Sequence, residues 1–148
     1  MVQRVAAWVH GRVEGVIGGE GGMALWQHVL LTEWGGMNDV LYNLYEHTGD
    51  PTHLATARRF NGFVFTAPLA AGQDDLSLLP FPHANFHLPE IVGNARAYEL
   101  TGNATDKRVV DTFFDALTRY VKESLKYSLK YSHLEMNIFT LRPDTNSH

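Results

Sequence analysis

The chain has 148 residues, of which 45% are hydrophobic and 19% charged, a balance that suits one packed domain and excludes disordered, collagen-like and low-complexity classes. Its 12 Lys and Arg against 16 Asp and Glu give a formal charge of −4, so no overall basic field draws in phosphate backbones or anionic lipid, and neither nucleic acid nor membrane is expected as a partner. The absence of cysteine removes disulfides, thiolate nucleophiles and Cys-ligated metals from this chain's own chemistry.

In chain order, Val2, Val5, Ala6, Val9 and Val13 read as one amphipathic helix, which Gly15, Gly18, Gly19, Gly21 and Gly22 then break. These glycines do not follow a strand as GxGxxG, so they are not expected to cradle phosphate. A second helix is expected over residues 23–31. Met37, Val40, Leu41, Leu44 and Tyr45 carry helical spacing, as do Leu88, Ile91, Val92, Ala95 and Tyr98.

Those two stripes belong to an internal repeat. Leu44-Tyr45-Glu46-His47-Thr48-Gly49-Asp50 returns as Ala97-Tyr98-Glu99-Leu100-Thr101-Gly102-Asn103, and the same offset of 53 residues carries Phe60 onto Phe113. Thr-Gly predicts a helix stop, and Asp50 or Asn103 the cap of the helix that follows. Pro51 suits a first helical turn. Leu54, Ala57, Phe60 and Val64, and again Val110, Phe113, Phe114, Leu117 and Val121, form the second stripe of each copy. The unit is an αα-hairpin, and its period fits either a HEAT-like solenoid or the paired helices of an α/α toroid. Residues 66–86 read as a packed connection carrying Pro68, Gly72, Pro80 and Pro82. Residues 124–148, which open on the tandem Ser-Leu-Lys-Tyr, read as a divergent, disordered tail.

Two polar motifs stand ahead of the two hairpins. In Glu33-Trp34-Gly35-Gly36-Met37-Asn38-Asp39 the simplest reading is a glycine turn with Asn38 or Asp39 capping a helix. The functional reading places carboxylate, indole and amide around a sugar. In Phe81-Pro82-His83-Ala84-Asn85-Phe86-His87-Leu88-Pro89 the histidines are four apart, a zinc spacing on a continuous helix. Pro89 predicts a later helix start, however, and no third ligand stands nearby, so no metal site is assigned. Capping by Asn85 and packing by the histidines is the plain alternative. Because the repeat offset superposes the two motifs, both should stand at one corner of successive hairpins and open on one hollow. Carboxylate pairs such as Glu33 with Glu90, or Asp74 with Asp75, are candidates for glycoside chemistry, which depends on their separation.

Together these motifs resemble glycoside hydrolase family 127, the β-L-arabinofuranosidases and their relatives, over residues 33–121. The resemblance implies an all-α fold, αα-hairpin repeats forming part of an (α/α)6 six-hairpin toroid over residues 1–123. It implies action on plant-type carbohydrate bearing arabinofuranose, with retention, through a zinc-held cysteine nucleophile and a glutamate acid/base. Those groups belong to a later region of the family's domain. This chain is expected to stop or diverge before them, so it should supply no catalytic residue and no cofactor of its own, the zinc coming only with the missing region. What carries over is the pocket edge: His83 of the His-Ala-Asn motif, Trp34, Glu33, Asn38 and Asn85 as substrate-binding residues. Phe86 stands where a threonine is usual and Leu88 where an isoleucine is. The expected molecule is an inactive glycoside hydrolase fragment that self-associates through unpaired helix faces. The alternative is a non-catalytic α-hairpin binding module.

Overall fold

A computed structural model describes residues 1–32, 36–73 and 84–140, with side chains for all of these except 84, 86 and 131–140. The order is α1 (Val2–Ile17), α2 (Gly22–Val29), α3 (Met37–Thr48), α4 (Pro51–Arg59), α5 (Phe63–Ala70), α6 (Ala84–Thr101) and α7 (Ala104–Thr140). The described residues contain helices and no strands, as the periodicity predicts.

The repeat is reproduced atom for atom at its two corners. Gly49 and Gly102 close α3 and α6 with φ of 69° and 67°, the left-handed conformation that glycine adopts without a Cβ penalty. Thr48 Oγ1 donates to the Leu44 carbonyl at 2.8 Å and Thr101 Oγ1 to that of Ala97 at 2.7 Å. Asp50 then accepts from the Thr52 amide at 2.8 Å and Asn103 from the Thr105 amide at 2.9 Å, capping α4 and α7. Each threonine, glycine and cap thus meets a backbone group that a helix end would otherwise leave unpaired.

The two hairpins lie side by side through α3 and α6. Asn38 meets residue 90 and Asn43 meets Arg96, nearly constant offsets that make the helices parallel and in register. One core gathers Val13, Trp26, Leu41, Tyr42, Phe60 and Ala97; a second sets Phe65, Leu69, Ile91, Val109 and Phe113 beneath α5, α6 and α7. Trp26 packs edge-on to Phe60 with ring centres 5.2 Å apart, a favoured aromatic geometry.

Several expectations need correction. Helix α1 runs through Gly11 and Gly15 and breaks only at Gly18. The second stripe of the first hairpin is interrupted at Asn61, and a separate helix, α5, occupies what the sequence suggests is a connection; Phe65 and Leu69 bury it. Helix α6 starts at Ala84 and runs through Pro89, which lacks only its own N–H to donate back to residue 85. Residues 124–140, expected as a disordered tail, are helical, because neither glycine nor proline occurs between Asn103 and Pro143 to stop α7. Residues 141–148 lie outside the described residues.

Candidate functional site

The two motif-bearing corners are adjacent. Gly36, the residue preceding α3, faces Pro89 of α6, and a Cβ built on that glycine would lie 3.4 Å from the proline Cβ. Two residues on, the fully buried Asn38 donates from Nδ2 to the Glu90 carbonyl at 3.0 Å and accepts from the Asp39 amide at 2.9 Å. Its amide fits the notch left by Gly93, where any Cβ would overlap it. Gly36 stands at the cap position ahead of α3 with no side-chain cap bond, so neither Asn38 nor Asp39 plays the capping part. Asn38 joins the two corners instead.

Among the other sequence-selected residues, Asn85 is exposed in the first turn of α6, inside the helix rather than ahead of it. Glu33, Trp34 and His83 lie outside the described residues, as do Asp74 and Asp75. His87 is buried and stacks on Phe65 with ring centres 4.2 Å apart. This is the packing part expected of a motif histidine.

Behind the corners runs a buried polar seam that apolar periodicity does not reveal. Helix α6 buries His87, Glu90, Asn94, Ile91 and Ala97, while Leu88 and Val92 are exposed. Glu90 is 1% exposed and accepts the Gly62 amide at 2.6 Å. Burial pushes its carboxyl up to about 8, against the opposing pull of the Gly62 N–H, so it is a neutral acid at neutral pH. Gln27 brackets the same junction, donating to the Asn61 carbonyl at 3.1 Å and accepting from the Phe63 amide at 2.7 Å. The α4–α5 corner is therefore held by Trp26 and Gln27 from α2, the former donating to the Arg59 carbonyl, and by Glu90 and Asn94 from α6. The sequence signal that could have found it is the polar i, i+3, i+7 series His87, Glu90 and Asn94 on a helix otherwise read from its apolar residues.

A cavity of about 650 Å³ opens beside this seam between α2, α4, α5, α6 and α7, lined among others by Gln27, Arg58, Asn61, Thr66, Asn94 and Asp106. Asn61 Oδ1 is buried there with no hydrogen-bond partner among the described residues. Desolvation raises the Asp106 carboxyl and the Arg58 charge offsets part of that rise. Among the described motif residues, neither Asn38 nor Asn85 lines this cavity.

The model of the β-L-arabinofuranosidase, glycoside hydrolase family 127 catalytic domain matches residues 1–121. The chain belongs to this family. Family 127 membership thus covers α1 to α6 and the part of α7 that packs on the body. No curated protein and no solved structure matches the chain. The family's zinc-held cysteine cannot be built from a chain with no cysteine, and the described residues hold no group of three or more His, Cys, Asp or Glu able to bind a metal. The residues present do not fit that centre. Among the described residues, no helix is long and apolar enough to cross a membrane.

Proposed function

We propose that this family 127 chain holds part of a sugar pocket of β-L-arabinofuranosidase type and, having no cysteine among its 148 residues, does not itself supply a cysteine nucleophile. The observation that carries this reading is the contact of Gly36 with Pro89 beside the Asn38–Glu90 bond. It sets Gly36, three residues after Glu33, beside Pro89, four residues after Asn85, which supports the reading that the two motifs open on one hollow. Glu33 and Asn85 would offer polar groups to sugar hydroxyls, Trp34 a stacking face and His83 a hydrogen bond. Asn38, whose amide is engaged on both sides by backbone, positions the corner. The (α/α)6 toroid is the arrangement that would enclose such a pocket, and covering of unpaired helix faces by association belongs to the same proposal.

An amide NMR titration with L-arabinose tests it. Shifts concentrated at the two motifs, and abolished by His83→Ala, are expected. Saturating sugar that moves nothing near Trp34 or His83 would overturn the reading. A second reading, a non-catalytic binding module, is favoured by the cavity between α2, α4, α5, α6 and α7, with its Asn61 oxygen that has no partner among the described residues. Shifts around Asn61 and Arg58 alone would support it.

A further inference from the structure

Helix α7 outruns the body that it packs on. Among its described side chains, those up to residue 130, Ala116 is the last that is buried, and every residue from 117 to 130 is exposed. A single helix of that length is marginal in water without a packed face. The face available is an apolar stripe: Phe114, Leu117, Val121 and Leu125, respectively 51%, 36%, 50% and 58% exposed, continuing from half-buried Val110. Spacings of three and four place these residues on one side of the helix.

Charge indicates what covers the stripe. At about 100° per residue, Asp111, Asp115, Lys122 and Lys126 fall roughly 60°, 100°, 80° and 120° around the helix from Phe114, all on one flank. Tyr120 and Ser124, both uncharged, lie on the other. Between residues 111 and 126 the acids of this flank come first and the bases after them; Arg108, at roughly 120° on the same flank, precedes the acids and donates to the Ala70 carbonyl at 3.4 Å on the body. In an antiparallel helix pair, like flanks face each other and opposite halves meet, so acids oppose bases. A parallel pair would set the charged flank against the uncharged one. Asp111 with Lys126 and Asp115 with Lys122 also share one midpoint, between Thr118 and Arg119, as a two-fold axis requires. The bonds these charges now make, Lys107 to Asp111 and Lys126 to Glu123, are exposed pairs within one helix and cost little to exchange.

We propose that the exposed face of α7 is a homodimer interface, pairing antiparallel with the same face of a second copy about an axis near Thr118. This specifies the association proposed above and stands independently of sugar binding.

Sedimentation analysis of the full chain tests it. A monomer–dimer equilibrium is expected, with Val121→Lys/Leu125→Lys raising the dissociation constant by at least about tenfold while helix content stays unchanged. Asp111→Lys/Asp115→Lys should weaken the dimer, and adding Lys122→Asp/Lys126→Asp should restore it. Because the chain has no cysteine, one introduced thiol reports alone: Thr118→Cys should cross-link to its own copy under oxidation and Leu125→Cys should not. Overturning results are a monomer at concentrations on the order of 100 µM, which would leave the stripe to another segment or partner, a dimer indifferent to the Val121 and Leu125 changes, or equal cross-linking from both cysteines. The monomeric variant answers the arabinose titration on its own, so failure of one proposal is distinguishable from failure of the other.

Discussion

Arg96 grips Asn43, its own counterpart one repeat earlier: Arg96 Nε donates to Asn43 Oδ1 at 2.8 Å. The same guanidinium pairs with Glu46 on α3 and with Glu99 on α6, so one side chain ties both hairpins in register. Arg96→Ala should lower the thermal midpoint, and Arg96→Lys should recover only part, because an ammonium cannot present donors in the planar fork that reaches three partners. In a double-mutant cycle, Asn43→Ala should cost less in the Arg96→Ala background than in the parent. Full additivity of the two changes would show that the contact couples nothing.

Gly93 has a sharper constraint than a helix glycine usually has. A methyl group there would occupy the space of the Asn38 amide, displacing a buried donor from the Glu90 carbonyl. Gly93→Ala is expected to destabilise by about 2–4 kcal/mol, as overpacking and an unsatisfied buried amide add. Asn38→Ala in the same chain should return part of that loss by making room, a reversal readable in urea midpoints. A Gly93→Ala protein as stable as the parent would contradict the packing described.

The hairpin corners were legible because their logic is local: threonine, glycine and a capping residue fix the chain direction within a few positions, so the 53-residue echo gives the observed boundaries of α3 and α4. Facing was less legible. Val40, Leu88 and Val92 continue the apolar stripes yet are exposed, while Asn38, Glu90 and Asn94 are buried, because backbone groups, chiefly the Glu90 carbonyl and the Gly62 amide, satisfy the polar seam and periodicity counts only apolar surface. Helix α5 is not legible because Pro68 reads as a breaker, yet it lies inside the helix, where burial of Phe65 and Leu69 offsets the hydrogen bond that the proline cannot donate. Of the candidate sugar residues, Asn38 and Asn85 fall among the described residues, and the Asn38 amide is held between the Glu90 carbonyl and the Asp39 amide.

The matched corners provide an internal control. Gly49→Ala and Gly102→Ala should each cost about 1 kcal/mol, since both glycines hold positive φ that a Cβ opposes. Asn103→Ala should cost about 1 kcal/mol by leaving the first turn of α7 uncapped. Open space surrounds both glycines, so the penalty is conformational, and the two values should agree. A cost at one corner and none at the other, read from denaturant midpoints, would mean that the echo is one of sequence without shared energetics.

Glu90 makes stability depend on pH in the direction opposite to the usual carboxylate. Its carboxyl is pushed up by burial to about 8 in the folded chain from an ordinary 4.5, despite the Gly62 N–H that favours its charge. Between those values the folded state holds a proton that the unfolded state has lost, so unfolding free energy falls as pH rises. The stabilisation is complete below the unfolded value and is lost on passing the folded one, a total on the order of 5 kcal/mol. Asp106, also raised by desolvation, acts with the same sign, so the Glu90 share is isolated by Glu90→Gln. That variant keeps an acceptor for Gly62 and carries no titrating proton; it should lose most of the slope and exceed the parent in stability at about pH 9. Urea titrations at about pH 5 and about pH 9 check this. A parent equally stable at both, or a Gln variant with the parent's slope, would show that the charge of Glu90 is accommodated where it stands.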